Sequence, residues 1–178
     1  MNAKRFFKVR GRRRIVAITA IALLLLCVAS HLLSPTVCVA HESAKRAHCQ
    51  SNIRQIGLAC KQYSVNHRDR FPIRLTELID GGYLNLSEVF LCPDDLALKK
   101  LLAKENLDAL SSYFLVKNLK ESDSSDSPLI LEKPNHHGGD GGNVFYVGGH
   151  AAWVKADKLE QLYKEAGIQV PTRAPDKK

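Results

Sequence analysis

Three histidines and an aspartate, His136, His137, Asp140 and His150, sit in a glycine-rich stretch running from Asn135 to Val154. Imidazole nitrogens and a carboxylate are the donors zinc accepts, and adjacent histidines in a loop can both reach one ion. A hairpin would be needed to bring His150 back to them. The local composition suits one: Asn143 to Val147 reads as a strand, Gly148-Gly149 as a two-residue turn with positive φ angles, and Ala151 to Lys155 as the return strand. The spacing matches no zinc signature. The expectation is therefore a structural loop without a cofactor, with zinc or a related transition ion as the alternative. Trp153 is expected to anchor the sheet face.

Of the five cysteines, Cys27 lies in an apolar run, which leaves Cys38, Cys49, Cys60 and Cys92 with three full pairings that sequence does not choose among. Cys27, Cys38, Cys49 and Cys60 recur every eleven residues, one helical face. Neighbours in that series stand about 16 Å apart on a helix, too far to bridge within it. No catalytic set emerges. Ser111 and Ser112 have no evident base, there is no nucleophile elbow or His-Glu-x-x-His motif, and Asp94-Asp95 suit the cap of a following helix. The chain is not expected to be an enzyme.

These residues need elements to position them. The net charge of +8 over 178 residues does not indicate a nucleic-acid partner, because residues 1–14 hold seven of those charges and the remainder carries +1. The basic segment 1–14 precedes an uncharged apolar run, residues 15–33, long enough at roughly 28 Å to span a bilayer's hydrocarbon. Positive charge before the run predicts a single-pass inner-membrane anchor, N-terminus cytoplasmic and residues 34–170 exported to the periplasm. Cleavage before His41 is the alternative. Ser34-Pro35 marks a restart or kink.

From Ala44 to Tyr63 apolar residues fall on one stripe, Cys49, Ile53, Ile56, Cys60 and Tyr63, with Lys45, Arg46, Gln50, Arg54, Lys61 and Gln62 turned to water. A short helix over Leu75 to Asp80 stops at Gly81-Gly82. Glu88 to Pro93 reads as extended, then a helix from Asp94 or Asp95 through Leu110. Strands at Tyr113 to Val116 and Leu129 to Leu131, the hairpin, a helix from Asp157 to Ala166, and a flexible tail 171–178 complete an α+β arrangement: a long helix packed on a small antiparallel sheet.

The segment Cys49-Gln50-Ser51-Asn52-Ile53-Arg54-Gln55-Ile56-Gly57-Leu58-Ala59, followed by Tyr63 and Phe71-Pro72, resembles the type II secretion pseudopilin-like (prepilin-type) proteins of planctomycetes and verrucomicrobia. Gly82-Tyr83-Leu84, Phe90-Leu91-Cys92-Pro93-Asp94, Ser112-Tyr113 and Glu132-Lys133-Pro134 are similar to later landmarks of that family. So is the hairpin from His137-Gly138-Gly139 to Trp153-Val154, so that the resemblance covers Ala44 to Val154. It implies a membrane-anchored structural component of a type II secretion or type IV pilus-like apparatus. The expected partners are the inner membrane and other pseudopilins or secretion components, with Ile53, Ile56, Cys60 and Tyr63 as an assembly stripe.

A Cys49–Cys92 disulfide tying the long helix to the loop before the middle helix is expected, two reduced, buried thiols being the alternative; the resemblance adds calcium to the candidate ions for the loop, since major pseudopilins bind it in a C-terminal loop. Two positions depart from the family. Gly11 is followed by Arg12-Arg13-Arg14-Ile15-Val16, with Val16 where the family has its filament-entry glutamate, and Gly148 replaces the aspartate of the hairpin. The alternative function is a periplasmic metal- or ligand-binding module using the histidine-rich loop.

Overall fold

A computed structural model describes the backbone of residues 3–86, 88–134 and 136–170, with side chains for these except 3–15, 17 and 31–38. The expected tail 171–178 lies outside the described residues. The chain forms two compact units, Met1–Glu42 and Ser43–Lys178.

Helix α1 runs from Ala3 to Asn66, through Ser34-Pro35 without the expected restart. A proline inside a helix removes one hydrogen bond at about 3 kcal/mol, a small fraction of a helix this long. In the first unit Val16, Ile18, Ile21, Leu23, Leu24, Leu25, Leu26 and Val28 are all exposed. Two of its hydroxyls turn back onto the helix, Thr19 donating to the Val16 carbonyl at 3.0 Å and Ser30 to that of Cys27 at 2.7 Å. No helix among the described residues is long and apolar enough to cross a membrane. The apolar run's Ile15, Ala17 and His31 to Leu33 have no described side chains.

The second unit is α+β. Four antiparallel strands lie in the order β1 (Tyr113–Leu115), β2 (Pro128–Glu132), β3 (Gly141–Tyr146), β4 (Ala151–Lys155), each hydrogen-bonded to the next. Alternation along the strands separates two packing faces. Ile130 and Phe145 meet Ile53, Ile56 and Cys60 of α1, whereas Leu131 and Val144 meet Leu159, Leu162 and Tyr163 of α4 (Ala156–Glu165). Gly57 permits the first contact: a Cβ there would lie closer than 3.0 Å to the Phe145 ring. The stripe of α1 is thus spent inside the domain, with Ile53, Ile56 and Cys60 fully buried and Tyr63 half-buried. It is a core face and not a surface left for assembly.

Short helices connect these layers. Helix α2 (Thr76–Asp80) ends as its spacing predicts, with Gly82 at φ 70°. Glu88–Phe90 is a 3₁₀ turn, not extended chain. The helix expected from Asp94 through Leu110 is instead a 3₁₀ stretch Pro93–Leu101, another at Lys104–Asn106, and α3 (Leu107–Leu110). Asn106 forces the interruption, its side chain accepting from the Ala103 amide at 2.8 Å and donating to the Leu101 carbonyl at 2.8 Å. Asp94 and Asp95 make no cap, because both are drawn into side-chain contacts described below.

The hairpin forms, with a different turn. Gly149 donates to the Tyr146 carbonyl at 2.9 Å and alone is left-handed, at φ 87°. This is a four-residue turn over Val147-Gly148 closed by a left-handed residue, the pattern of a three-residue hairpin loop. Gly148 is needed for space: a Cβ there would stand 2.9 Å from the Ser125 carbonyl oxygen.

Candidate functional site

The chemistry of this domain converges at the junction of α1, the sheet and the turn at Cys92. Cys49 enters from the buried face of α1. Cys92, in extended conformation (φ −66°, ψ 149°), heads the 3₁₀ stretch. Glu132 ends β2, and His137 opens a short turn with its own backbone left-handed at φ 55°. All four side chains are buried, and their donor atoms lie within 4.8 Å of one another. The Cys49 and Cys92 sulfurs are 2.8 Å apart. His137 Nε2 stands 3.8 Å from the Cys92 sulfur and 3.0 Å from Glu132 Oε1.

A second set of contacts fixes this group. Glu132 Oε2 accepts from the backbone amide and the side-chain Nδ2 of Asn143, both at 2.9 Å. The Cys92 amide donates to Ser112 Oγ at 2.8 Å, and that hydroxyl donates to Asp95 at 2.5 Å. His136 Nε2 meets the same carboxylate at 2.7 Å. Asp94 pairs with Lys45 at 2.5 Å and accepts from the His137 amide at 3.4 Å. Trp153 closes the outside, its ring 5.6 Å from that of His137 and covered by the Arg46 guanidinium at 4.4 Å. Lys45, Arg46 and Lys61 therefore pair across the domain instead of facing water, Lys61 with Glu121.

Electrostatics within the group are strongly coupled. Its hydrogen bond with Cys49 draws the Cys92 thiol down to about 6 against the opposing effect of burial, while the same bond and burial push Cys49 far up. Burial alone would lower His137, but Cys92 and Glu132 outweigh it and raise the imidazole to about 10. Burial raises the Glu132 carboxyl, and His137 with the Asn143 amide more than reverses this. Such a group favours one sulfur and one carboxylate as anions around a cation.

Residues 39–83 match a family model described as "Protein of unknown function (DUF1559)". No curated protein and no solved structure matches the chain. The matched segment contains Cys49, the stripe of α1 and α2, the part of the chain that supports one edge of the cluster.

The four residues singled out in the loop are not brought together. His137 is in the cluster, and His136 lies beside it, held by Asp95. Asp140 is an exposed ion-pair partner of Arg46 at 2.6 Å. His150 is exposed on the hairpin loop, stacked on Tyr146 with centroids 4.6 Å apart. Cys49 and Cys92 do meet. Glu132 was missed: its signal was a carboxylate directly after the apolar strand Leu129-Ile130-Leu131, which alternation alone cannot place. Asn143 was read only as a strand residue.

Proposed function

We propose that this chain is a non-enzymatic assembly protein, tethered to the bacterial inner membrane by its first unit and presenting the second to the periplasm. Its place would be in a type II secretion or type IV pilus-like apparatus. The observation that carries this is the helix of the first unit, in which eight large apolar side chains between Val16 and Val28 are exposed. Its two described hydroxyls are satisfied on the helix itself. In water such a surface has no favourable partner; in lipid, or against like helices, it does. The α+β second unit and the DUF1559 match at residues 39–83 are compatible with a pseudopilin-like protein.

A photo-crosslinker at Leu24, activated in native membranes, tests it. The expected result is capture of pseudopilin or secretion-apparatus subunits in the membrane fraction. Recovery of the chain in the soluble fraction with a mature start near His41, and no such capture, overturns the proposal.

A further inference from the structure

We propose that Cys49, Cys92, Glu132 and His137 form a buried mononuclear zinc site that clamps α1 to the sheet. The inference goes beyond the assembly reading and does not depend on it.

The geometry of the donors comes first. Zinc–ligand bonds of about 2.3 Å to sulfur and 2.0–2.2 Å to nitrogen or oxygen place tetrahedral donors roughly 3.8 Å apart for S···S, 3.6 Å for S···N and 3.4 Å for N···O. The His137–Cys92 separation of 3.8 Å and the His137–Glu132 separation of 3.0 Å are close to these. The sulfurs, at 2.8 Å, must part by about 1 Å, a shift on the scale of a small side-chain rotation at each cysteine. The ligands come from α1, the Cys92 turn, β2 and the turn at His137, so one ion would join four separate segments.

The surroundings match what a metal site requires. Ligating carboxylates are themselves held by hydrogen bonds, and Asn143 does this for Glu132 twice. The Tyr113 hydroxyl, buried and without a hydrogen-bond partner among the described residues, lies near Cys49. A metal-bound thiolate there would give that donor its acceptor. Binding would release the proton still held by the thiol pair and that of the imidazole nitrogen to solvent.

The rival is a disulfide between the same cysteines. It would account for two of the four residues and leave a fully buried carboxylate and imidazole beside it. Buried ion pairs of that kind are often no better than apolar side chains of the same volume. An ion accounts for all four.

The test uses the full-length chain extracted into detergent without chelator or reductant. Elemental analysis gives zinc per chain, and peptide mass mapping after denaturation gives the state of each cysteine. The expected result is close to one zinc per chain, with Cys49 and Cys92 both alkylated without reductant. Chelation followed by cobalt should give the absorption of a tetrahedral thiolate-bound ion. A Cys49–Cys92 cross-linked peptide with no zinc overturns the proposal. So do free thiols in a protein that takes up no added zinc. Asn143→Ala, which removes no ligand, should weaken zinc binding roughly 10–100-fold. Zinc retained undiminished in both Cys92→Ser and His137→Gln would place the ion elsewhere and also overturns it.

Discussion

Replacing Gly57 with alanine tests how the sheet and α1 meet. In an open helix position the change stabilises by about 1 kcal/mol, because glycine is a poor helix former. Here the new methyl would fall closer than 3.0 Å to three atoms of the Phe145 ring. That ring is fully buried, on a strand paired on both sides, β2 and β4. It cannot swing into solvent, so ring, strand or helix must shift. Overpacking of this kind costs typically 1–3 kcal/mol, and a methyl overlapping a ring belongs at the upper end. Subtracting the helix gain leaves a net destabilisation of about 1–2 kcal/mol. Thermal unfolding of the full-length protein, followed by circular dichroism, should then show a lower Tm by roughly 4–8 °C. Phe145→Leu in the same chain should remove the overlap, so the double variant should be less destabilised than the sum of the singles by about 1 kcal/mol or more. A Gly57→Ala protein as stable as the parent, or more stable, refutes the proposed contact.

Three further outcomes follow from the same packing. Glu132→Ala should destabilise by about 3–5 kcal/mol in urea unfolding, since it removes the acceptor of the buried Asn143 amide and the carboxylate facing the His137 imidazole; a loss under 1 kcal/mol would contradict this. The Asp95–His136 pair should stabilise over a defined pH window. His136, with smaller help from Ser112, holds Asp95 below its ordinary 3.8, so that contribution is present above 3.8 and lost as pH falls through the lowered value. Burial opposes the charge on His136 but Asp95 raises it above 6.5, so its contribution is present below 6.5 and lost as pH rises through the raised value. The stability difference between the parent and Asp95→Asn should therefore peak between pH 3.8 and 6.5; a flat difference would exclude the pair. Gly148→Asp, which installs the residue of the resembling family, should destabilise by about 1–3 kcal/mol by driving a Cβ to 2.9 Å from the Ser125 carbonyl, and thermal unfolding reads it.

Local periodicity carried the fold further than the site. The spacing of Cys49, Ile53, Ile56, Cys60 and Tyr63 identifies a buried helical face because each position is about one turn from the next. The strands are legible for the same reason, as runs of β-branched and aromatic residues bounded by glycine and polar links. The stretch after Pro93 misled because Leu98, Leu101, Leu102 and Leu107 imitate a helix face, yet Leu101 is 62% exposed and only Leu107 is fully buried. Leu98 and Leu101 lie on a 3₁₀ path, Leu102 is extended and Leu107 opens α3; Asn106 makes the break by a side-chain to backbone contact that periodicity does not encode. The site was half legible. Its cysteines were expected to pair and His137 stood out by residue type, but Glu132 is brought in by the register of β2 against β3, which pairs Leu131 with Val144. No pattern within one segment reports a pairing between two.

Burial of the stripe also changes where assembly contacts can lie. Ile53, Ile56 and Cys60 are committed to Phe145 and its neighbours, and exposing them would dismantle the core. On the same stretch of α1 the exposed large apolar residues are Leu58 and Val65, too few for a stable interface. Among the described residues the longest run of exposed apolar side chains is in the first unit, between Val16 and Val28. Val16 stands there in place of the glutamate of the resembling family, so a neighbouring subunit would meet methyl groups and no carboxylate. Association through this segment would rest on close packing instead of an ion pair. It should therefore be insensitive to salt and disrupted by a charge at Leu24 or Leu26.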